Sequence, residues 1–185
     1  MPYLNLARMQ NPFVANLALI LAERLRERGR FLRQPNAKPK VFIGSSTKSV
    51  EVAKKVKEYL SEDKGLEVIV WTDGVFKPSL TSIESLEKFA ANCDFAIIVF
   101  GPDDTLVLDS GGKVPVPRDN VIFELGLFMG VLGRERTFFM VDKEKRPTDL
   151  DGITYEKYTF GKGRKLDVKD AVVNMREAIK EKKAR

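Results

Sequence analysis

Phe95-Ala96-Ile97-Ile98-Val99-Phe100 is a run of six apolar residues. It is too short for an ordinary helix and lacks the alternation of a strand with one wet face. A strand buried on both faces reads this way, as in a parallel sheet covered by helices. Working outward, the same pattern returns. Val41-Phe42-Ile43 is closed by Gly44-Ser45-Ser46, and Leu66 to Trp71 is broken by Thr72-Asp73-Gly74. Thr137 to Val141 supplies a fourth run and Ile153 to Tyr158 a weaker fifth. Helical periodicity fills the gaps. Residues 48–60 turn Val52, Val56, Tyr59 and Leu60 inward, and a helix capped by Thr81 or Ser82 reaches about Asn92 with Ile83, Leu86, Phe89 and Ala90 inward. Val168 to Lys182 closes the chain as a helix. Strands alternating with helices predict an α/β fold, a five-stranded parallel sheet with helices on both faces.

Composition narrows the chemistry. The 185 residues contain no histidine and one cysteine, Cys93. Ser-His and Cys-His nucleophile pairs, His-ligated metals, thiolate clusters and an intrachain disulfide are therefore excluded. Cys93, between a helix and a strand, is expected to be a small buried hydrophobe. The net charge of +6 is spread among acidic neighbours except in the tail Lys180–Arg185, and no zinc-finger or RNA-binding spacing occurs. Nucleic acid is disfavoured as a partner, and no metal site is expected.

Two regions are predicted. Residues 1–39 comprise an amphipathic helix from Pro12 to Arg33, with Leu17, Ile20, Leu21 and Leu25 on one face, and the linker Gln34–Pro39. Its apolar stretch is too short to span a bilayer, and a charged helix follows where a signal peptide would be cleaved. A cytoplasmic location is the expectation. Residues 40–185 form the domain itself.

One helix carries the chain's odd charge. Asp119 or Asn120 is suited to cap it, and Val121-Ile122-Phe123-Glu124-Leu125-Gly126-Leu127-Phe128-Met129-Gly130 is apolar nearly all round, so a buried helix is expected. Glu124 interrupts it. A carboxylate there must find a partner, take up a proton or face a cavity; Arg118 or a backbone amide are the bland partners. The long loop Gly101–Pro117 feeds this helix from the carboxyl end of the third strand, the edge where ligands bind in such sheets. Gly44-Ser45-Ser46-Thr47-Lys48-Ser49 opens a helix after a strand and is suited to hold phosphate, though it is neither a dinucleotide fingerprint nor a P-loop. Trp71 and Phe76 are suited to stack on a ring, or Trp71 packs on the core. Arg118 either steers an anionic group or pairs with an Asp of the preceding loop.

A single carboxylate suffices for one reaction class. Breaking an N-glycosidic bond passes through an oxocarbenium-like state that a fixed anion stabilises. Nicotinamide leaves NAD+ by neutralising its own cationic ring, so no general acid is needed.

Three blocks occur in order: Val41-Phe42-Ile43-Gly44-Ser45-Ser46, Val70-Trp71-Thr72-Asp73-Gly74-Val75-Phe76, and Arg118-Asp119-Asn120-Val121-Ile122-Phe123-Glu124-Leu125-Gly126. Together they resemble the prokaryotic TIR-like domains of cyclic-nucleotide antiphage effectors and TIR-STING fusions, over about Lys40 to Tyr158. The resemblance implies a flavodoxin-like TIR fold and cleavage of NAD+, as substrate with no further cofactor, to nicotinamide and ADP-ribose or a cyclised form. It implies Glu124 as the catalytic residue, with Gly44, Ser45, Ser46, Trp71, Asp73 and Phe76 along the substrate. Arg118 and Asn120 of the third block complete the expected binding set. It further implies activation by self-association under a sensor protein or domain; helix 13–33 is expected to mediate assembly. Two alternatives stand beside it: a non-catalytic TIR module that binds a nucleotide or transmits assembly, and a nucleoside deoxyribosyltransferase-like enzyme.

Overall fold

The computed structural model describes residues 20–21, 24, 33–75, 81–101, 103–107, 109, 111–142, 155–161 and 163–184. Contacts divide the chain into two compact units, Met1–Pro35 and Asn36–Arg185. In the first, Ile20, Leu21 and Arg24 are helical; the rest of the expected helix 12–33 lies outside the described residues. Asn36 opens the second unit and is fastened there: its Nδ2 donates to Asp94 Oδ2 at 2.6 Å and to the Asn92 carbonyl at 3.0 Å. Asp94 also accepts from the Lys40 N–H at 2.8 Å. That buried carboxylate pins the approach to the first strand against the turn before the third.

The central sheet has six strands. Strand β1 (Lys40–Ser45) pairs with β2 (Glu67–Val70) and β3 (Phe95–Phe100), all parallel. Strand β4 (Asp104–Val107) and β5 (Lys113–Val116) form a separate antiparallel hairpin. Strand β6 (Thr137–Asp142) pairs in parallel with β3 and with β7 (Glu156–Gly161), and β8 (Arg164–Asp167) is added antiparallel to β7. The order is β2-β1-β3-β6-β7-β8. Its five parallel strands bear out the expected sheet, in the flavodoxin order that reverses between β1 and β3.

Two differences from the sequence expectation concern polar segments. The stretch 101–117 is not an irregular loop but carries the β4–β5 hairpin. Strand β8 was not foreseen, because Arg164-Lys165-Leu166-Asp167 is a charged edge strand with no apolar run, and its Lys165 and Asp167 are exposed.

Helices cover both faces, as alternating side chains require. Helix α1 (Val50–Leu60) and α4 (Lys169–Lys182) bury Val52, Val56, Val172 and Met175 against Val41, Ile43, Ile97 and Val99. Helix α2 (Ser82–Asn92) and α3 (Asp119–Leu132) bury Leu86, Ala90, Val121, Leu125 and Phe128 against Phe42, Ala96, Ile98 and Phe100. Thr81 caps α2 through a reciprocal box with Glu84, which satisfies two orphan donors. Cys93 is completely buried at its end.

Helix α3 departs from expectation in two ways. Its N-cap is Arg118, with no side-chain cap, so Asp119 and Asn120 are its first helical residues. It is also not buried all round. Ile122 and Phe123 are 42% and 52% exposed, and nothing stands within 4 Å of a Cβ added at Gly126 or Gly130. A helix in a single layer on a sheet finds partners on one side only, so its outer face stays open. Ile83 of α2, expected inward, is likewise exposed.

Candidate active site

The strand order reverses between β1 and β3, and in open α/β sheets ligands bind at the carboxyl ends of the strands at such a point. Gly44, near the end of β1, pairs with Ile98 of β3. Helix α3 lies over that pair and lowers Glu124 onto it. A Cβ added at Gly44 would stand 3.0 Å from Glu124 Oε2, 3.0 Å from Ile98 Cδ1 and 3.0 Å from Phe42 Cε1. Gly44 is therefore the residue whose missing side chain admits the carboxylate. The Phe42 ring stacks on Phe128 of α3 at 4.7 Å and 13°, fixing the helix at this height.

Glu124 forms no hydrogen bond or ion pair among the described residues. Burial alone raises its pKa, from 4.5 to about 7. The carboxylate is thus poised between its two forms near neutral pH, and an approaching cation would favour the ionised one. Arg118, the bland partner, is turned elsewhere: its Nε lies 3.6 Å from Asp104 Oδ2 at the start of the hairpin. Asn120 is exposed, one turn before Glu124 on the same side of the helix.

Trp71 and Ser45 join this group. Trp71 Nε1 donates to Ser45 Oγ at 3.0 Å, and the ring packs on both apolar clusters. The structure thereby makes one contiguous set of Trp71, Ser45, Gly44 and Glu124. Asp73 is not part of it. Its carboxylate accepts from Lys57 Nζ at 2.8 Å and from the Val70 N–H at 2.8 Å, closing the turn after β2. Burial works against the ionised form, yet the bonds from Lys57 and Val70 prevail and hold the pKa below its usual value. Phe76 lies outside the described residues.

The phosphate reading of residues 44–49 finds its groups already engaged. Ser46 Oγ accepts from the Ser49 N–H at 3.2 Å and caps the single 3-10 turn Thr47–Ser49. Lys48 Nζ donates to the Asp103 carbonyl. Ser49 Oγ faces Asp103 Oδ1 at 3.5 Å. Behind them the buried Tyr158 hydroxyl donates to the Phe100 carbonyl at 2.7 Å, and burial raises its pKa.

Sequence reasoning did not single out Ser49, Gly101 and Asp103 as a unit. Their signal was faint: Gly101 follows the central strand, and a Cβ there would fall 1.9 Å from Ser49 Oγ. Only a glycine permits that approach, and it joins the first and third strand exits. Among the described residues no group of three or more His, Cys, Asp or Glu side chains converges as a metal site.

The fold and its strand order define a flavodoxin-like α/β domain of the TIR type. More narrowly, residues 40–159 match the model of the CAP12/Pycsar effector protein TIR domain, and the chain belongs to that family. The resemblance carried by the three sequence blocks is borne out. The chain is 41% identical to the Pycsar effector protein PaPycTIR of Pseudomonas aeruginosa, over 77% of its own length and 46% of the relative's. It is 36% identical to BcPycTIR of Burkholderia cepacia, over 83% and 51%. To CD-NTase-associated protein 12 of a Lachnospiraceae bacterium it is 39% identical, over 65% and 38%. The chain thus spans about half the length, or less, of these curated relatives.

Proposed function

We propose that this chain is an NAD+ glycohydrolase that serves as the effector of a cyclic-nucleotide antiphage system. One observation carries the reading: a partly buried glutamate, without a partner among the described residues, lies against Gly44 at the point where the strand order reverses. The C1′–N bond of the nicotinamide riboside breaks and its electron pair neutralises the pyridinium ring. Positive charge then develops on the ribose at C1′ and O4′. Ionised Glu124 stabilises that charge in a setting of low polarity, where such an interaction is strongest. Water adds to C1′ and its proton goes to solvent, giving ADP-ribose; attack by a ring nitrogen of the adenine gives a cyclised product instead. Trp71, Ser45, Ser46 and Gly44 line the approach, and Arg118 and Asn120 stand at the helix start to meet the phosphates. Asp73 is left out of contact with substrate.

The helix-side outer face supports a second role beside catalysis. Ile122, Phe123, Gly126 and Gly130 offer an apolar surface suited to self-association, the form of activation expected when a sensor protein or domain detects its signal. If that role were the whole function, the chain would be a non-catalytic assembly module. Among the described residues no helix is long and apolar enough to cross a membrane, and the cytoplasm, which holds the NAD+ pool, is the proposed place of action.

Incubation of concentrated protein with NAD+, with and without a crowding agent, tests the reading through nicotinamide release. Wild type is expected to release nicotinamide and Glu124→Gln to fall by about two to three orders of magnitude. Equal release by both would place the catalyst elsewhere. Base exchange between deoxynucleosides, with no loss of NAD+, would identify the transferase alternative.

A further inference from the structure

Two cations meet at the root of the β4–β5 hairpin. The hairpin leaves the sheet after β3 and returns to Arg118, the N-cap of α3. Lys48, in the 3-10 turn after β1, donates from Nζ to the Asp103 carbonyl. Arg118 Nε lies 3.6 Å from Asp104 Oδ2. Positive side chains from separate elements thus hold consecutive residues, whose Cα atoms are about 3.8 Å apart. The turn that carries Lys48 follows Gly44, Ser45 and Ser46, and the helix that Arg118 opens carries Glu124. The root of the hairpin therefore gathers both cations beside the candidate site.

These attachments are weak. Lys48 has a neutral acceptor, and no ion-pair partner among the described residues. The Arg118 and Asp104 side chains are 38% and 50% exposed and stand farther apart than a hydrogen bond, so solvent screens the pair. Asp103 is buried, and its Oδ2 has no hydrogen-bond partner among the described residues, which is costly. Strands β4 and β5 pair with each other alone among the described residues, and Asp104, Thr105, Val107 and Lys113 are exposed. A lone two-stranded hairpin is marginally stable. A diphosphate offers both cations more, since charge-assisted hydrogen bonds are about twice as strong as neutral ones and arginine makes them in pairs. We propose that the hairpin root stands in for the diphosphate of the substrate: Lys48 and Arg118 bind that group, and Asp103 and Asp104 hold the two cations until it arrives. Asp104 is then a built-in competitor of substrate, and Lys48 a binding residue outside the three sequence blocks. The inference rests on the NAD+ reading and deepens it, and its test does not require turnover.

The full chain, as the Glu124→Gln variant so that nothing is consumed, would be titrated by calorimetry with NAD+, with ADP-ribose, and with nicotinamide riboside, which carries no phosphate. Adding Lys48→Met should weaken NAD+ and ADP-ribose about tenfold, the value of one hydrogen bond to a charged group. Lys48→Arg, which keeps the charge, should stay within about threefold of the parent. Asp104→Asn should act in the opposite direction and tighten both ligands about two- to fivefold, the value of an exposed ion pair. Nicotinamide riboside should change by less than about twofold throughout, because it offers the cations no anion. With Glu124 restored, KM for NAD+ should follow the same two directions while kcat stays within about threefold. A merely structural root would weaken binding in both variants and spare neither ligand class. Shifts of one sign in Lys48→Met and Asp104→Asn overturn the proposal, as do equal shifts for nicotinamide riboside or no binding of either diphosphate ligand at millimolar concentration. If wild type releases no nicotinamide while ADP-ribose still shows the opposite shifts, the glycohydrolase reading fails and this proposal stands.

Discussion

Asp73 and Glu124 are two carboxylates near the same rim of the sheet, and their surroundings differ in kind. Asp73 has a lysine and a backbone amide within 2.8 Å, and its proton is held off. Among the described residues Glu124 has neither, and burial raises its pKa to about 7. A paired acid spends its charge on the fold, whereas an unpaired one keeps it for a visitor. The rest of the α1–α4 face follows Asp73: Lys180 lies 2.9 Å from Asp63, and Arg176 bonds the Tyr59 carbonyl.

The largest expected effect tests this contrast directly. Loss of the carboxylate in Glu124→Gln should abolish most NAD+ cleavage, whereas Asp73→Asn should leave kcat within about threefold, since its charge is already engaged. Equal losses would erase the distinction.

Next comes the cradle between the strand exits. Gly101→Ala should cost about 1–3 kcal/mol by urea denaturation, because its Cβ would fall 1.9 Å from Ser49 Oγ and 3.3 Å from Ser49 Cβ. A neutral outcome would mean that the 3-10 turn can shift, and that Ser46 is not rigidly placed.

The pH dependence separates the two acids by sign. For Glu124 the folded pKa, about 7, exceeds the unfolded value near 4.5. The unfolded chain therefore binds fewer protons between those values, and stability falls as pH rises through that window. Glu124→Gln lacks this penalty, so its melting temperature should exceed wild type by a few degrees at pH 8 and converge with it at pH 4.5. For Asp73 the folded pKa is depressed, so its contribution is present above the unfolded value near 3.8 and is lost on acidification. Melting curves of both variants across pH 3–8 check the opposite slopes. In kinetics, kcat/KM for NAD+ should rise with pH along a limb near 7 as Glu124 ionises.

The smallest effect belongs to the Asp73–Lys57 pair itself. Both side chains are more than a third exposed, so screening leaves Lys57→Met a loss of about 0.5 kcal/mol by denaturation.

Much of this fold was legible in the sequence, for reasons that also explain what was not. Phe95–Phe100 and Thr137–Val141 announce themselves because strands covered on both faces have no polar positions. The position of Glu124 followed from chain order alone, since a helix entered from the third strand must begin at the carboxyl rim. The hairpin was hidden: Lys113-Val114-Pro115-Val116 contains a proline and pairs with a segment of mixed polarity. The contact of Glu124 with Gly44 joins residues eighty positions apart, and no local pattern encodes it. Asp73 is expected beside substrate because of the turn it sits in, and its pairing with Lys57, one helix earlier, left no sign in the sequence. The open outer face of α3 was missed for the opposite reason. Apolar residues all round a helix suggest burial, and sequence does not tell which covering lies within the chain.

Cys93 offers a last consequence. It is the chain's single thiol and is wholly enclosed between α2 and β3. A maleimide or disulfide reagent can reach it only when the α2 layer lifts from the sheet. Its labelling rate under native conditions is therefore a stopwatch for opening events, one that needs no engineered probe. Run with NAD+ present, the same stopwatch tells whether occupying the crevice on that face slows the opening.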